Sequence, residues 1–304
     1  MRAITFSILL TMYLTACASA ASTIPPASTD EVPTAMILVA TPLPTQTQDP
    51  SALSTGKPFI VDVSGKTMTL HCYGSGSPVV VLESGLSADW SYWGNVIDGL
   101  KKELRVCAYE RHPASKSSLQ YAEDLHNLLA KAGLQGPFIL VGHSYGGLNV
   151  IVYAGQYPEE VAGILLEDIL EPECSRRLLA ALPPERVSDS QDLKDLRRAW
   201  STPRLIVQGV DVTASCEQAQ AVKSLGDIPL IVLTAAAPNP SWGDFPEAVQ
   251  TSLNAARQAM QKELVGLSTQ GRQIIASTSE HTIHDYAPRE VIVAIIELIQ
   301  LVRR

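Results

Sequence analysis

The sequence has no cluster of lysines and arginines, and its formal net charge at pH 7 is −8. Proteins that bind nucleic acid neutralise phosphates with a basic surface, so this chain has no electrostatic basis for such a partner. It also has no internal repeat and no His-Glu-x-x-His pattern, which excludes a repeat architecture and that kind of zinc site. Its 304 residues, 46% of them hydrophobic, are enough for one sizeable globular core.

The N-terminus predicts export. Arg2 precedes a short apolar run over residues 4–14, and Leu14-Thr-Ala-Cys17 follows. A positive charge, a short apolar core and small residues at the end describe a secretory signal, and the run is too short to remain as a membrane-spanning helix. The Leu-Thr-Ala-Cys ending resembles the bacterial lipobox. This resemblance implies cleavage of residues 1–16, acylation of Cys17 with palmitate-type chains, and a lipid-anchored protein on the extracytoplasmic side of the bacterial envelope.

Residues 17–57 are rich in Ala, Ser, Thr and Pro, a composition that cannot bury a core and predicts a tether. Export also permits disulfides in the rest of the chain. The four remaining cysteines allow three pairings, and their spacing alone does not choose between them. These cysteines are Cys72, Cys107, Cys174 and Cys216.

Short β-branched runs alternate with helical spacings after residue 58, which predicts an α/β fold. The predicted strands are residues 59–63, 67–73, 78–82, 105–109, 138–141, 161–166, 228–234 and 272–276. The predicted helices are residues 89–104, 118–132, 145–156, 247–267 and 288–302. An opening hairpin followed by this alternation predicts a mostly parallel eight-stranded sheet with helices on both faces. Residues 171–225 are helical in pattern and broken by prolines, and they predict a helical cap inserted between two strands.

The most informative stretch is Phe138-Ile-Leu-Val-Gly-His-Ser-Tyr-Gly-Gly147. An apolar strand ends at Gly142, Ser144 follows, and a helix begins at once. Gly142 and Gly146 flank the serine at two residues on either side, as a sharp strand-to-helix turn requires. Such a turn exposes the serine at the carboxyl end of the sheet, where the amides at the start of the helix favour negative charge.

This stretch closely resembles the nucleophile elbow of the α/β-hydrolases, and the resemblance covers essentially all of residues 58–304. It implies Ser144 as the nucleophile, activated by a histidine that a carboxylate orients. The family's strand order makes the second and fourth strands neighbours, which implies a Cys72–Cys107 disulfide. Cys174 and Cys216 would then bracket the cap.

The family order of serine, acid and histidine implies a base far downstream of the serine. Ser277-Thr-Ser-Glu-His281 resembles the family's histidine loop, with Glu280 in place of the usual glycine, so His281 is the preferred base and His284 is its rival. Asp168, at the end of the strand after the nucleophile helix, is the preferred acid. Asp244 and Glu167 remain the alternatives.

An oxyanion hole needs fixed donors. The resemblance assigns them to the backbone amides of Tyr145 and of Leu86, in a Glu-Ser-Gly-Leu loop after the strand at 79–82. The nearby Arg111 and His112 lie in a loop without the family's glycines, and they either reach the mouth of the site or are solvated. Four aromatic residues either line an apolar pocket or pack against the sheet. They are Trp90, Tyr92, Trp93 and Trp242.

The sequence therefore predicts a serine hydrolase that cleaves a small-molecule carboxylic ester, or as the second choice an amide, through an acyl-enzyme at Ser144. This chemistry needs no cofactor and no metal. Fold alone does not fix function, so three alternatives stay open. Two are other reactions on the same scaffold, peptidase and cofactor-free peroxidase chemistry. The third is a non-catalytic lipoprotein that binds through its cap.

Overall fold

The structure is a computed structural model that describes residues 52–303. The predicted signal peptide, the lipobox Cys17 and most of the predicted tether lie outside the described residues. The described fold begins with a short helix, α1 (Ala52–Thr55), and a strand that starts at Gly56, inside the segment assigned to the tether. Within residues 52–303, no helix has both the length and the apolar character needed to cross a bilayer.

Eight strands form the main sheet and two more form a small hairpin. The strands are β1 (Gly56–Val63), β2 (Lys66–Tyr73), β3 (Val80–Glu83), β4 (Val106–Tyr109), β5 (Phe138–His143), β6 (Val161–Glu167), β7 (Ile206–Val207), β8 (Val210–Asp211), β9 (Leu230–Thr234) and β10 (Gly271–Ile275). The main sheet has the order β1-β2-β4-β3-β5-β6-β9-β10. Strand β2 is antiparallel to both of its neighbours, and all other pairs are parallel. The predicted eight-stranded, mostly parallel α/β architecture is confirmed.

Helices cover both faces of the sheet. After α1 they are α2 (Gly94–Leu100), α3 (Ser118–Lys131), α4 (Tyr145–Gln156), α5 (Cys174–Ala181), α6 (Gln191–Trp200), α7 (Val212–Ala221), α8 (Glu247–Glu263), α9 (Ile283–Tyr286) and α10 (Pro288–Val302). One large apolar core joins the sheet to α3, α4 and α7, and a second joins it to α2 and α10. The central strands are buried on both faces, which explains their unbroken apolar runs.

The sheet order places a topological switch at β3. Strand β4, which follows β3 in the chain, lies on one side of it, and β5 lies on the other. The connections after β3 and β5 therefore leave the carboxyl edge of the sheet in diverging directions, and ligands of open α/β sheets bind at such switch points. The loop after Glu83 and the turn at Ser144 meet at this edge, where the sequence predicts the oxyanion loop and the nucleophile.

The predicted helix at 89–104 is shorter than expected. A 3₁₀ turn over Trp90–Trp93 comes first, and the α-helix begins only at Gly94. The Asp89 side chain accepts a hydrogen bond from the Ser91 backbone N–H at 2.7 Å, which tightens this first turn. The predicted helix at 247–267 likewise ends at Glu263 and continues as a 3₁₀ turn over Leu264–Leu267.

The segment predicted as one cap divides between two parts of the molecule. Helices α5 and α6 form a small apolar core of their own with α8, which the sequence places outside the cap. Helix α7 instead packs against α3 and α4 in the main body, where Ser215 accepts a hydrogen bond from the Ser118 backbone N–H at 3.1 Å. Asp211 caps α7 by accepting from the Ala214 N–H at 2.9 Å. A helix-rich pattern alone does not reveal which partner each helix buries its apolar face against.

Cys72 and Cys107 form a disulfide, as the family's strand order implies. They are directly opposite each other on β2 and β4 and are both fully buried. Cys174 on α5 and Cys216 on α7 are thiols. A hydrogen bond with Cys216, together with burial, raises the pKa of Cys174 well above its ordinary value. The two cysteines that bracket the predicted cap are therefore neighbours but are not joined.

Removal of the disulfide is expected to destabilise the whole domain. The crosslink closes a loop with a sequence separation of 35, and loss of such a loop constraint lowers the free energy of unfolding by about 3 kcal/mol. Urea unfolding of the Cys72→Ala/Cys107→Ala double variant, followed by circular dichroism, measures this change. Cys216→Ala, which removes a half-buried thiol, is the matched control with a smaller effect. Equal unfolding midpoints for the double variant and the parent protein would contradict the expectation.

Candidate active site

Ser144 stands on the turn between β5 and α4, with φ 52° and ψ −124°. This is a strained backbone conformation for a residue other than glycine, and close packing around it holds the turn in place. A Cβ atom on Gly142 would lie 2.8 Å from Gly147 Cα, and one on Gly146 would lie 2.5 Å from the Ser84 carbonyl oxygen. Both glycines are therefore required by the close approach of neighbouring backbone. The turn leaves the Ser144 side chain partly exposed at the carboxyl edge of the sheet.

His281 and Asp168 form a hydrogen-bonded pair beside this turn. The distance from His281 Nδ1 to Asp168 Oδ2 is 2.6 Å, and Asp168 is completely buried. His143, which precedes the nucleophile, donates from Nε2 to the His281 carbonyl oxygen at 3.1 Å. Because Nδ1 of His281 donates to the carboxylate, Nε2 carries the lone pair and is the atom available to take a proton.

Besides His281, Asp168 binds a backbone N–H and an arginine. Its Oδ1 accepts from the Ala235 N–H at 2.8 Å and from the guanidinium of Arg257. Burial raises the pKa of the Asp168 carboxyl, but the hydrogen bond from His281 and the charge of Arg257 outweigh burial and hold the pKa below its ordinary value. Asp168 is therefore an anion throughout the neutral range.

The alternative acids occupy other places. Asp244 is exposed in the loop before α8. Glu167 accepts hydrogen bonds at Oε1 from both the backbone N–H and Nδ1 of His284, at 2.8 Å and 2.7 Å. The structure thus pairs Asp168 with His281, whose ring packs against that of His143, the residue before Ser144. It pairs Glu167 with the rival histidine, His284.

The Glu167–His284 pair belongs to a buried polar layer under the site. Burial lowers the pKa of His284, but the charge and hydrogen bond of Glu167 outweigh burial and raise it. Burial, His281 and His284 all lower the pKa of His143, which is therefore neutral. Atoms of His143, Glu167 and His284 that are able to bind a metal lie within 4.8 Å of one another. Glu167 Oε1 and His284 Nδ1 are already committed to each other as a hydrogen bond.

The loop after β3 lies directly against the nucleophile. A Cβ atom on Gly85 would be 3.3 Å from Ser144 Cβ. Arg111 donates to Glu83 Oε1 at 2.7 Å and also to the backbone carbonyls of Ser84 and Gly85. Because Arg111 binds both carbonyl oxygens, its guanidinium fixes the orientation of the two peptide units before Leu86.

The two residues predicted to supply oxyanion donors lie in the loop after β3 and at the start of α4. Leu86 follows Gly85 in this loop and packs against the main core. Tyr145 is the first residue of α4, so its backbone N–H has no acceptor within the helix. The Tyr145 hydroxyl bonds Ser215 Oγ at 2.8 Å, and burial raises the pKa of this phenol to about 12. Its side chain therefore anchors α4, while its backbone amide faces the nucleophile end of the helix.

The sequence leaves the position of Arg111 open and does not indicate a role for Arg257. Arg111 reaches inward and holds the loop after β3, whereas Nδ1 of the neighbouring His112 accepts from the Ala114 N–H at 3.1 Å within its own loop. The tripeptide Tyr109-Glu-Arg111 at the end of a buried strand was the available signal for Arg111. No local pattern marks Arg257, because its partner is 89 positions away.

Of the two alternatives for the four aromatic residues, the structure favours packing over a shared pocket. Trp93 is fully buried and donates to Ser84 Oγ at 3.0 Å, so it supports the loop from below. Trp90 stacks on His71 with ring centroids 4.0 Å apart. Trp242 packs in the α5–α6–α8 core, and Tyr92 is 49% exposed. Trp90, Tyr92 and Trp93 lie on one 3₁₀ turn, which directs their side chains to different surroundings, and Trp242 lies on a separate turn.

Comparisons with known proteins agree with this architecture. Residues 78–194 match the model of the α/β-hydrolase fold family. The uncharacterized protein YqjL of Bacillus subtilis is 25% identical over 244 residues, which are 76% of this chain and 87% of YqjL.

Two solved structures share the fold at low identity. The epoxide hydrolase of Bacillus megaterium has a TM-score of 0.54 at 12% identity, with 80% of this chain and all of that chain covered. The thioesterase domain of the curacin biosynthetic pathway has a TM-score of 0.50 at 14% identity, with 79% and 98% covered. The protein has the α/β-hydrolase fold.

Arg111→Lys is expected to slow the reaction of Ser144 with a fluorophosphonate, whose phosphoryl oxygen occupies the oxyanion position. Lysine keeps the charge but loses the planar fork that binds Glu83 and two carbonyls together, so a loss of about tenfold is expected. The second-order labelling rate constant, measured by mass spectrometry of the intact protein, tests this. His112→Ala is the matched control and should label at the rate of the parent. An unchanged rate for Arg111→Lys would show that the loop does not depend on the guanidinium.

Proposed function

We propose that the protein is a serine hydrolase that cleaves carboxylic esters through an acyl-enzyme on Ser144. The observation that carries this proposal is the 2.6 Å hydrogen bond between the partly exposed His281 and the fully buried Asp168 beside the nucleophile turn. A serine hydroxyl needs a base, and a base of this kind needs a fixed ring and a fixed tautomer. A protein that only binds a ligand has no need for all three groups in this order.

In the proposed mechanism, His281 Nε2 takes the proton of Ser144 as Oγ attacks the carbonyl carbon. The backbone amides of Tyr145 and Leu86 stabilise the oxyanion of the tetrahedral intermediate. His281 then gives its proton to the departing alcohol, which leaves an acyl-serine ester. Water activated by the same nitrogen attacks that ester, and the acid is released.

A serine nucleophile suits some of the reactions named for structural neighbours better than others, because the covalent intermediates differ. Attack of Ser144 on an epoxide carbon would leave an ether, which has no carbonyl for water to attack, and the enzyme would be trapped. Attack on an ester or thioester leaves an acyl-serine, which hydrolyses by the same route. An ester is preferred over an amide because an alcohol leaves more readily than an amine.

Ser144→Ala is expected to reduce turnover by about 10³-fold or more, because the variant cannot form the acyl-enzyme. The full chain in detergent is tested on p-nitrophenyl esters from acetate to laurate, and the preferred acyl length defines the substrate class. Ser201→Ala changes an exposed serine after α6 and is the matched control. A folded parent protein with no Ser144-dependent turnover would contradict ester hydrolysis and favour a peptidase, a peroxidase or a binding role.

We further propose that the mature chain is anchored in the bacterial envelope through acylated Cys17. Leu14-Thr-Ala-Cys17 supports this proposal, together with the Pro-rich segment that separates this cysteine from the folded residues. Several acyl chains on one cysteine would bind a bilayer stably, whereas a single chain binds only marginally. The same location is compatible with the Cys72–Cys107 disulfide, because oxidising compartments preserve such bonds.

Cys17→Ser is expected to abolish incorporation of an alkyne-palmitate analogue when the full chain is expressed in bacteria. The variant should also leave the membrane fraction, because no acyl chain holds it there. Gel fluorescence after click labelling measures incorporation, and Cys216→Ser is the matched control that retains the label. Equal labelling of Cys17→Ser and the parent would exclude this residue as the acylation site.

A further inference from the structure

Helix α8 contributes a row of polar side chains to the surroundings of the acid. Arg257 bonds Asp168, and Gln258 donates to the Ala235 carbonyl oxygen at 2.9 Å. Gln261, one turn after Arg257, donates to the Ile169 carbonyl oxygen at 2.7 Å. Helix α8 therefore contacts Asp168, the next residue Ile169, and Ala235, whose backbone N–H donates to Asp168.

Asp168 requires such support because its backbone is strained. Its φ is +44°, an unusual value for a residue with a side chain. Its own N–H donates to the Leu233 carbonyl oxygen at 2.8 Å, and the Leu170 N–H donates to the Ser144 carbonyl oxygen at 3.0 Å. The contacts from α8 complete a set that fixes both the backbone and the carboxylate of the acid.

Arg257 differs from the other partners because it carries a permanent charge. It is only 7% exposed, and it binds Oδ1 of Asp168 while His281 binds Oδ2. A buried guanidinium is costly unless it is paired, so this geometry is specific. A cation on one oxygen of a carboxylate weakens the attraction of that carboxylate for a second cation on the other oxygen. Arg257 therefore opposes the protonation of His281.

Other charged groups near this pair act in opposing directions. Glu171, before α5, is buried, and burial raises its pKa to about 7 although Arg257 lowers it. His143 faces His281 with ring centroids 4.7 Å apart and is neutral. Glu280 precedes His281 in the chain. The Glu167–His284 pair lies on the far side of His143, with ring centroids of the two histidines 4.7 Å apart.

We propose that Arg257 is a positioning residue that fixes Asp168 and sets the pH range in which His281 acts as a neutral base. The proposal rests on the proposed function only in taking His281 as the base of Ser144. Arg257 binds Oδ1 of Asp168, and His281 binds Oδ2 of the same carboxylate. Arg257 does not contact the substrate, and it acts through Asp168.

The test is an NMR titration of His281 in the full chain in detergent, with ¹³C-labelled histidine and the resonance assigned by His281→Gln. Arg257→Gln removes the charge, and the titration midpoint of His281 should rise by about one pH unit. Arg257→Lys keeps the charge and should leave the midpoint near that of the parent. Fluorophosphonate labelling of Ser144 across the same pH range should show the same displacement of its acidic limb. Arg177→Gln, which breaks the surface ion pair with Glu263 on α8, is the matched control without a displacement.

A purely structural role makes a different prediction. In that case Arg257→Gln lowers thermal stability, but the titration midpoint of His281 stays within about 0.2 pH unit of the parent value. This outcome would show that the proposal is wrong. If Arg257→Gln does not fold, Arg257→Met tests the same coupling, because methionine removes the charge and keeps an unbranched apolar side chain in this buried position. The midpoint should again rise by about one pH unit, and an unchanged midpoint overturns the proposal.

The titration also separates this inference from the proposed function. A displaced midpoint in a protein without ester turnover supports the role of Arg257 and contradicts ester hydrolysis. Ester turnover with an unchanged midpoint supports ester hydrolysis and contradicts the role of Arg257.

Discussion

The candidate site depends on one buried anion, the carboxylate of Asp168. An unpaired carboxylate in the interior would be protonated, and the orientation of His281 would be lost with its charge. Here a histidine, a backbone amide and a guanidinium divide its two oxygens among them. These partners come from the loop before α9, from the end of β9 and from α8. Three separate elements must therefore be packed correctly before the acid can remain charged.

Two consecutive acids, Glu167 and Asp168, each bind a different histidine. Glu167 is the last residue of β6 and Asp168 follows it, so their side chains point in different directions. Asp168 meets His281, and Glu167 meets His284 three residues later. The segment that carries His281 is thereby attached to the end of β6 at two points. Trp93 and His143 both pack against the His284 ring, with ring centroids 4.7 Å apart in each pair.

The parts of this arrangement that the sequence predicts are the local ones. The nucleophile turn needs only a strand, two glycines and a helix start in succession, and helix α4 has the predicted bounds of 145–156. Helix α10 begins at Pro288 as predicted, because proline favours the first turn. The disulfide required knowledge of strand order, which came from the family resemblance. The contacts of Arg257 and the partition of the cap depend on how α8 packs, and no local pattern carries that information.

The carboxyl groups of Asp168 and Glu171, which both interact with the charge of Arg257, make contributions to stability that depend on pH with opposite signs. Asp168 has a lowered pKa in the folded protein, so its contribution to stability is present above its ordinary value of 3.8 and is lost as the pH falls through the folded pKa. Glu171 has a pKa raised from 4.5 to about 7, so its contribution is present below 4.5 and is lost as the pH rises through 7. Arg257 faces an ionised Asp168 throughout this window, while Glu171 gains its charge toward the upper end. The guanidinium is therefore most fully committed to Asp168 when Glu171 is protonated, and the ionisation of Glu171 adds a second anion that competes for the same cation.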